Sequence, residues 1–204
     1  YVIESNFIME NMSEENKKQS YSEDSIQAYY LYFLEISVLA LFLASFWLTK
    51  RSFYAFFSFL YLFIFVDDFF QFHEAFGAYF SAQVTFDFFQ HIGGHNVGEI
   101  IGWCIMAILF ACLIPITVRS LQIREKVYCL LILMSFIILI ICGLVLDFFH
   151  AISTGGLAFI LGVMEDGGEI FSLSLTFVFA LMQFERTVKL KSEVILLKTK
   201  GLRK

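Results

Sequence analysis

Long apolar runs separated by short polar segments dominate the pattern of this sequence. Five runs are long enough to cross a bilayer, because a membrane-spanning helix needs about 20 residues. They cover residues 26–48, 53–72, 98–118, 127–149 and 157–184. The runs lack the alternation of apolar and polar residues that marks a transmembrane strand. Because a helix satisfies its own backbone hydrogen bonds in lipid, the pattern predicts an all-α integral membrane bundle of about five transmembrane helices.

The composition excludes several other classes of protein. Of the 204 residues, 59% are hydrophobic, 19% aromatic and 16% charged, whereas about a quarter of a soluble domain is charged. This balance excludes a soluble globular protein, a disordered chain, a coiled coil and a secreted disulfide scaffold. The four cysteines lie inside apolar runs without a zinc or redox spacing, so we expect them to be packing residues. We expect no nucleotide or flavin cofactor, because the sequence carries no such motif.

The positions of Lys and Arg predict the orientation of the bundle. The 14 basic residues lie within 1–25, at 50–51, within 119–126 and within 186–204. Five spans with the N-terminus outside place the last three clusters in the cytoplasm, as the positive-inside rule requires. The chain then divides into a polar, acidic N-terminal tail (1–25), a transmembrane bundle (26–185) and a basic cytoplasmic tail (186–204). The basic tail either contacts anionic lipid or is a solvated stop-transfer segment.

Most ionisable residues of the bundle gather at its outer side. Every histidine lies there, and so does every acid of the bundle except Glu125 and Glu185, which lie toward the cytoplasmic side. Residues 52–118 and 127–185 contain no Lys or Arg, so these carboxyls are either protonated or neutralised by a bound cation. Histidine mixed with carboxylates favours Zn, Fe or Mn over Ca or Mg. The candidate ligands, in a mononuclear or a dinuclear site, are Asp68, His73, Glu99, Asp147, His150, Glu165 and Glu169.

Two further acids are candidates for catalysis. Asp67, Gln71 and Glu74 follow an i, i+4, i+7 spacing, so they share one helix face. Asp67 or Glu74 would act as a general base beside a metal-bound water. Glu35 has two interpretations, as a member of the site or as a residue that caps a kink or binds a tyrosine.

The outer connection 77–97 is also open to two interpretations. It is either an amphipathic helix on the outer leaflet or a lid over the acidic layer. His91 and His95 have an i, i+4 spacing that suits chelation, although a solvated loop position is the alternative for each. We expect Asp87 to be a loop or helix-cap residue, and Asp166 to face the headgroups.

Short repeated strings indicate a tandem repeat of a helical hairpin. The string DFF precedes a histidine three times, within 68–73, 87–91 and 147–150, and GEI occurs at 98–100 and 168–170. Two copies of Asp, His and Glu around a pseudo-twofold axis would suit a dinuclear site in a helix bundle. Chance is the alternative, because a Phe-rich chain readily contains DFF and the histidine spacings differ. In a repeat, Asp68, His73 and Glu99 would be equivalent to Asp147, His150 and Glu169.

Two motifs of the chain resemble the signature of an uncharacterised family of small bacterial polytopic membrane proteins. One is V-D-D-F-F-Q-F-H-E (66–74), and the other is M-E-D-G-G-E-I-F (164–171) in a late helix. Asp68 and Asp166 stand where the family pattern has Glu. The resemblance implies a bacterial inner-membrane location but no reaction. It also implies one site that contains Asp67, Asp68, His73, Glu74, Glu165 and Glu169.

Three functions are compatible with these features. The first is a carboxylate–histidine metal site in the outer half of the bundle, either binding only or belonging to a metal-dependent enzyme that acts on a lipid or another apolar substrate. The second is a proton or cation pathway, although the inner halves of the spans lack ionisable relay groups. The third is a structural or sensory subunit of a membrane complex. We expect membrane lipids and a protein partner or a second copy as partners, and no nucleic acid.

Overall fold

The described chain is helical throughout, apart from short turns. A computed structural model describes residues 2–83, 94–119, 121 and 123–201, and it describes the side chains of 26–83, 94–119, 121, 123 and 125–197. No strand occurs among these residues, so the predicted all-α class is confirmed. The helices are α1 (Val2–Thr49), α2 (Ser52–Phe70), α3 (Phe72–Gln83), α4 (Gly94–Val118), α5 (Ile123–Ile140), a π-helical segment (Ile141–Leu146), α6 (Asp147–Ile152) and α7 (Gly156–Gly201).

Five segments of these helices are long and apolar enough to cross a membrane. They agree with the predicted runs to within a few residues at most ends, which confirms the multi-pass helical bundle. The largest difference is at the last span, which extends well into the predicted basic tail, since α7 continues as one helix. The segments are Ile26–Thr49, Ser52–Phe70, Gly94–Val118, Glu125–Ile152 and Gly156–Leu197.

The bundle has an acidic end and a basic end. We define the acidic end as the side of the α2–α3 and α6–α7 turns, and the basic end as the side of the α1–α2 and α4–α5 turns. At the basic end Arg51 forms an ion pair with Glu125, which joins the α1–α2 turn to the start of α5. Glu125, which the sequence places on the cytoplasmic side, therefore has a basic partner at that end.

The α1–α2 and α2–α3 turns each contain a residue in the left-handed backbone region. Lys50 has φ 57° between α1 and α2, and Gln71 has φ 53° between α2 and α3. The N–H of Gln71 donates to the carbonyl of Asp67, so it closes the last turn of α2. The helix thus ends two residues before the predicted end of the second span, 53–72, and His73 belongs to the first turn of α3.

The core of the bundle is rich in aromatic rings. Phe42 of α1 stacks on Phe57 and Tyr61 of α2, with ring centroids 5.2 and 6.0 Å apart. All three side chains are buried. Because lipid is as apolar as these rings, close packing rather than the hydrophobic effect holds α1 and α2 together here.

Buried polar side chains connect α2 to α7. Tyr61 Oη donates to Thr176 Oγ1 over 3.2 Å, and Gln183 Nε2 donates to Tyr54 Oη over 2.9 Å. The Tyr54 hydroxyl also lies 3.2 Å from Thr187 Oγ1. Such bonds are worth about 0.6–2 kcal/mol each within a membrane, so they fix the rotation of α7 against α2. That rotation decides which acids of α7 point into the bundle.

Candidate metal centre

The first group of candidate ligands forms where α2 breaks into α3. The left-handed residue Gln71 ends α2, and α3 begins at the next residue. The backbone N–H of His73 donates to Asp67 Oδ1 over 3.1 Å, and His73 Nδ1 lies 2.8 Å from Asp67 Oδ2. Ligand atoms of Asp67, Asp68 and His73 all lie within 4.8 Å of one another. The break therefore assembles a carboxylate–histidine group from residues that lie next to each other in sequence.

The second group combines α6 with α7. His150 Nδ1 lies 2.9 Å from Glu165 Oε2. The His150 ring packs on the backbone of Gly162, where an added Cβ would lie 3.1 Å from Cε1 of the ring. Asp147, His150 and Glu165 have ligand atoms within 4.8 Å of one another. The short turn between α6 and α7 brings these three residues together, since it returns the chain antiparallel at once.

A third histidine–carboxylate pair lies on α4. His95 Nε2 is 3.0 Å from Glu99 Oε1, one helical turn away, and Glu99 is 9% exposed. Gly77 and Gly98 let α3 approach α4 closely, because a Cβ on Gly98 would lie 2.9 Å from Cα of Gly77. Glu99 interacts electrostatically with His73 of the first group and with Asp147 of the second. Glu99 is therefore near enough to both groups to interact with them electrostatically.

Glu169 lies deeper in the bundle than Glu165. Its carboxyl packs against Gly143 in the π-helical segment, where an added Cβ would collide with Oε1. It interacts electrostatically with Asp68 and with Glu165, and so with both ligand groups. It also lines a cavity of about 100 Å³ together with Glu35, Asp68 and His73. All seven residues predicted as ligands are thus at the acidic end, although only Asp68, His73, Asp147, His150 and Glu165 belong to the two compact groups.

The two residues predicted to be catalytic have different surroundings. Asp67 is 4% exposed and accepts hydrogen bonds from His73 through both of its oxygens. Glu74 is exposed and accepts a hydrogen bond from Gln71 Nε2 over 3.0 Å. This arrangement makes Asp67 suitable for orienting His73. A catalytic role for Glu74 stays a prediction.

The charge of its neighbours controls the proton affinity of His73, which lies just beyond the second span. Burial of the ring lowers its pKa. The hydrogen bond and the negative charge of Asp67 oppose that effect, and the charges of Asp68 and Glu99 add to them, so that the pKa of His73 is raised above its ordinary value. A cation bound to this ring would compete with a proton, because the same negative charges favour both.

Several features of the site could not be predicted from the sequence pattern. The break at Gln71 and the π-helical segment interrupt helices that the hydropathy pattern treats as continuous. Glu35, for which the sequence allowed two interpretations, lies at the cavity. Asp166 is exposed, as expected. His95 lies in α4, so its i, i+4 partner among the described residues is Glu99, while His91 and Asp87 lie outside the described residues.

Comparisons with protein-family models, with curated proteins and with solved structures give no match to this chain. The resemblance to the small bacterial membrane proteins and the tandem repeat both stay predictions.

Proposed function

We propose that this protein is an integral membrane metal-binding protein that holds divalent transition metal ions, Zn, Fe or Mn, at the acidic end of its bundle. The observation that carries the proposal is the pair of compact groups, each with one histidine and two carboxylates. Ligand atoms that share one such metal lie at most about 4.2 Å apart, because each bond is about 2.1 Å long. The ligand atoms of each group lie within 4.8 Å of one another, so small side-chain movements would bring them to one ion.

The pairing of each histidine with a carboxylate supports metal binding. An ionised carboxylate only accepts hydrogen bonds, so Nδ1 of His73 donates to Asp67, and Nδ1 of His150 donates to Glu165. Each ring then presents a lone pair on Nε2. Carboxylate–histidine pairs of this kind orient the ring and raise its basicity at many zinc sites. Asp67 is a positioning residue in this arrangement.

The lack of positive charge at the acidic end also favours a bound cation. The sequence places no Lys or Arg within 52–118 or 127–185. Ion pairs of Glu and Asp at this end involve histidine, which leaves most of the negative charge uncompensated. A transition metal would neutralise two charges at once and would accept the imidazole nitrogens that Ca²⁺ and Mg²⁺ disfavour.

An apolar groove beside His73 supports action on a lipid or another apolar substrate. The groove has a volume of about 270 Å³ and lies between α2, α3 and α4. Its walls include Phe63, Phe76 and Trp103, while Asp67 and His73 are its ionisable residues. A metal at this position would polarise a carbonyl or phosphoryl oxygen and activate a bound water. The groove would hold the apolar part of the substrate against that position.

Elemental analysis of the detergent-purified protein tests the metal proposal. We expect about two equivalents of Zn, Fe or Mn, as in dinuclear helix-bundle sites. His73→Ala and His150→Ala should each lose about one equivalent, because each removes the nitrogen ligand of one group. Asp166→Asn is the matched control, since Asp166 adjoins Glu165 but is exposed. Metal at background level in a folded wild-type protein would contradict the proposal.

The enzyme proposal needs a separate measurement. Metal-loaded wild-type protein and the His73→Ala variant would each be incubated with an extract of membrane lipids, and the products would be followed by mass spectrometry. A product that depends on His73 would support the enzyme. A metal-loaded protein without any such product would instead favour a sensory or structural subunit that binds metal.

A proton or cation pathway is a weaker candidate. It would have to continue from the acidic end to the basic end of the bundle. The buried Tyr61–Thr176 and Tyr54–Gln183 pairs are seven residues apart on each helix, which corresponds to about 10 Å. Among the described residues, buried Phe57 and Ala180 lie between the two pairs and separate their side chains.

A further inference from the structure

The cavity at the acidic end contains more carboxyl groups than the two histidine groups require. Its volume is about 100 Å³, and its polar lining consists of Glu35, Asp68, His73 and Glu169. One water needs only about 10–15 Å³, so the cavity has room for several. The other lining side chains are mostly apolar, Leu31 and Leu173 among them. A ligand in this cavity would thus contact carboxyl oxygens on one side and an apolar wall on the other.

Glu35 is the most informative of these residues. It is 1% exposed, and its Oε2 has no hydrogen-bond partner among the residues that the structure describes. A buried carboxyl oxygen without a partner is unfavourable unless a ligand, a water or a proton satisfies it. The carboxyl group of Glu35 also interacts electrostatically with that of Asp68. Glu35, which carries this oxygen, lines a cavity large enough to hold a ligand.

Three helices supply the carboxyl groups around this cavity. Glu35 lies on α1, Asp68 on α2 and Glu169 on α7, and Glu35 interacts electrostatically with both of the others. Gly143 leaves room for the Glu169 carboxyl beside the π-helical segment. Lys50, Arg51 and Arg186, the basic residues nearest in sequence to these three, lie toward the opposite end of the bundle. A cation is therefore the natural counter-charge for this set.

We propose that Glu35, Asp68 and Glu169 form an inner site for a hydrated divalent cation of the Mg²⁺ and Mn²⁺ class, separate from the histidine groups. Mg²⁺ and Mn²⁺ prefer carboxylate oxygens and retained water as ligands. The cavity is lined by three carboxyl groups and has room for water. The inference goes beyond the proposed function because it adds Glu35 and an oxygen-only donor set. The inner site and the group of His73 share Asp68, which would bridge them.

Mn²⁺ binding to the detergent-purified full-length chain tests this inference. Free Mn²⁺ is measured by electron paramagnetic resonance during a titration of wild-type protein, Glu35→Gln and Asp166→Asn. Glu35→Gln keeps the size of the side chain but removes its charge. We expect it to lose about one equivalent of Mn²⁺, or to bind that equivalent at least about tenfold more weakly, because one of three charged ligands is gone. Asp166→Asn should bind as the wild type does.

A spectroscopic measurement on folded protein covers the case in which Glu35→Gln does not fold. Mn²⁺ in an oxygen-only site has no coupling to a ligand nitrogen, whereas Mn²⁺ bound to imidazole does. We therefore expect a Mn²⁺ population without nitrogen coupling in the wild type, and we expect it to persist in His73→Ala. Nitrogen coupling for all bound Mn²⁺, or an unchanged titration of folded Glu35→Gln, would overturn the inner site.

The outcomes separate this inference from the proposed function. If transition-metal content depends on His73 and His150 but Mn²⁺ binding is unchanged in Glu35→Gln, the proposed function is supported and the inner site is contradicted. If Mn²⁺ binding depends on Glu35 but the histidine groups hold no metal, the inner site is supported and the proposed function is contradicted.

Discussion

At the scale of single residues, backbone conformation decides where the first ligand group forms. Gln71 takes a left-handed conformation, with φ 53° and ψ 42°, between Asp68 and His73. Residues with a Cβ rarely adopt this conformation, at a cost of about 1–2 kcal/mol. This strained residue lies between Asp67 and His73, which are joined by hydrogen bonds. The strained turn is therefore part of the candidate site.

Substitutions at Gln71 test this connection. Gln71→Gly should keep the turn and the metal, because glycine adopts positive φ without strain. Gln71→Val should lower the free energy of unfolding by about 1–2 kcal/mol relative to Gln71→Gly, since a β-branched residue resists this conformation. It should also reduce the metal content of the His73 group. Chemical unfolding in detergent and elemental analysis provide the two measurements.

Lys50 offers a matched control for Gln71. It has nearly the same backbone conformation, with φ 57°, but lies at the basic end of the bundle. Lys50→Val should lower stability by a similar amount and leave the metal content unchanged. Equal loss of metal in both valine variants would mean that general destabilisation, rather than the local turn, controls the site.

At the scale of helices, small residues decide how closely the π-helical segment approaches α7. Gly168 of α7 faces Cys142, and Gly143 of the segment faces Glu169. A π-helical turn inserts an extra residue into a helix, so it changes which side chains face the bundle after it. Asp147 and His150 follow directly. The contact with α7 at these glycines therefore sets the position of the second ligand group.

Adjacent glycines on α7 give a sharp test of this contact. A Cβ on Gly168 would collide with Cys142 Sγ, whereas a Cβ on Gly167 would meet nothing within 4 Å. We expect Gly168→Ala to lower the free energy of unfolding by about 1–3 kcal/mol through overpacking. Gly167→Ala should raise it by about 0.5–1 kcal/mol, because alanine favours the helix. Unfolding in detergent measures both.

A double variant checks the cause of the Gly168 effect. If the collision with Cys142 is responsible, Cys142→Ala should recover most of the stability that Gly168→Ala loses, since it removes the sulfur atom. Losses that simply add in the double variant would show that another contact is involved.

At the scale of the whole molecule, charge is separated along the membrane normal. Most acids of the described bundle and its described histidines lie at one end, while the Arg51–Glu125 ion pair and the basic part of α7 lie at the other. The positive-inside rule assigns the basic end to the cytoplasm. The candidate metal centre would then receive its metal and its substrate from the outer side of the membrane.

Cysteine labelling tests that orientation in intact cells. Thr154 is exposed in the turn between α6 and α7 at the acidic end, and Ser192 is exposed in the basic part of α7. We expect a membrane-impermeant maleimide to label Thr154→Cys in intact cells and Ser192→Cys only after lysis. The wild-type protein measures background from its own four cysteines. The reverse labelling pattern would place the candidate metal centre in the cytoplasm.

Much of the candidate site could be predicted from the sequence, because the depth of a residue in the membrane depends mainly on its position within its own helix. The distance of Asp68, Asp147 or Glu165 from the end of its apolar run fixes its height at about 1.5 Å per residue, whatever the neighbouring helices do. The hydrogen-bond partner of each side chain, by contrast, could not be predicted in this way. His150 pairs with Glu165 rather than with its neighbour Asp147, and Glu99 pairs with His95. These choices depend on the rotation of whole helices, which hydropathy leaves undefined.

The sequence by itself determined the five membrane-crossing helices, the all-α class and the separation of acids from basic residues. Each of these follows from the length and polarity of continuous segments, which the bilayer imposes on every chain alike. Only the tertiary structure decided that Gln71 folds His73 onto Asp67, that Gly143 leaves room for Glu169, and that Glu35 lines the same cavity. Those features depend on local breaks and close approaches between helices distant in sequence, and no periodic pattern encodes them.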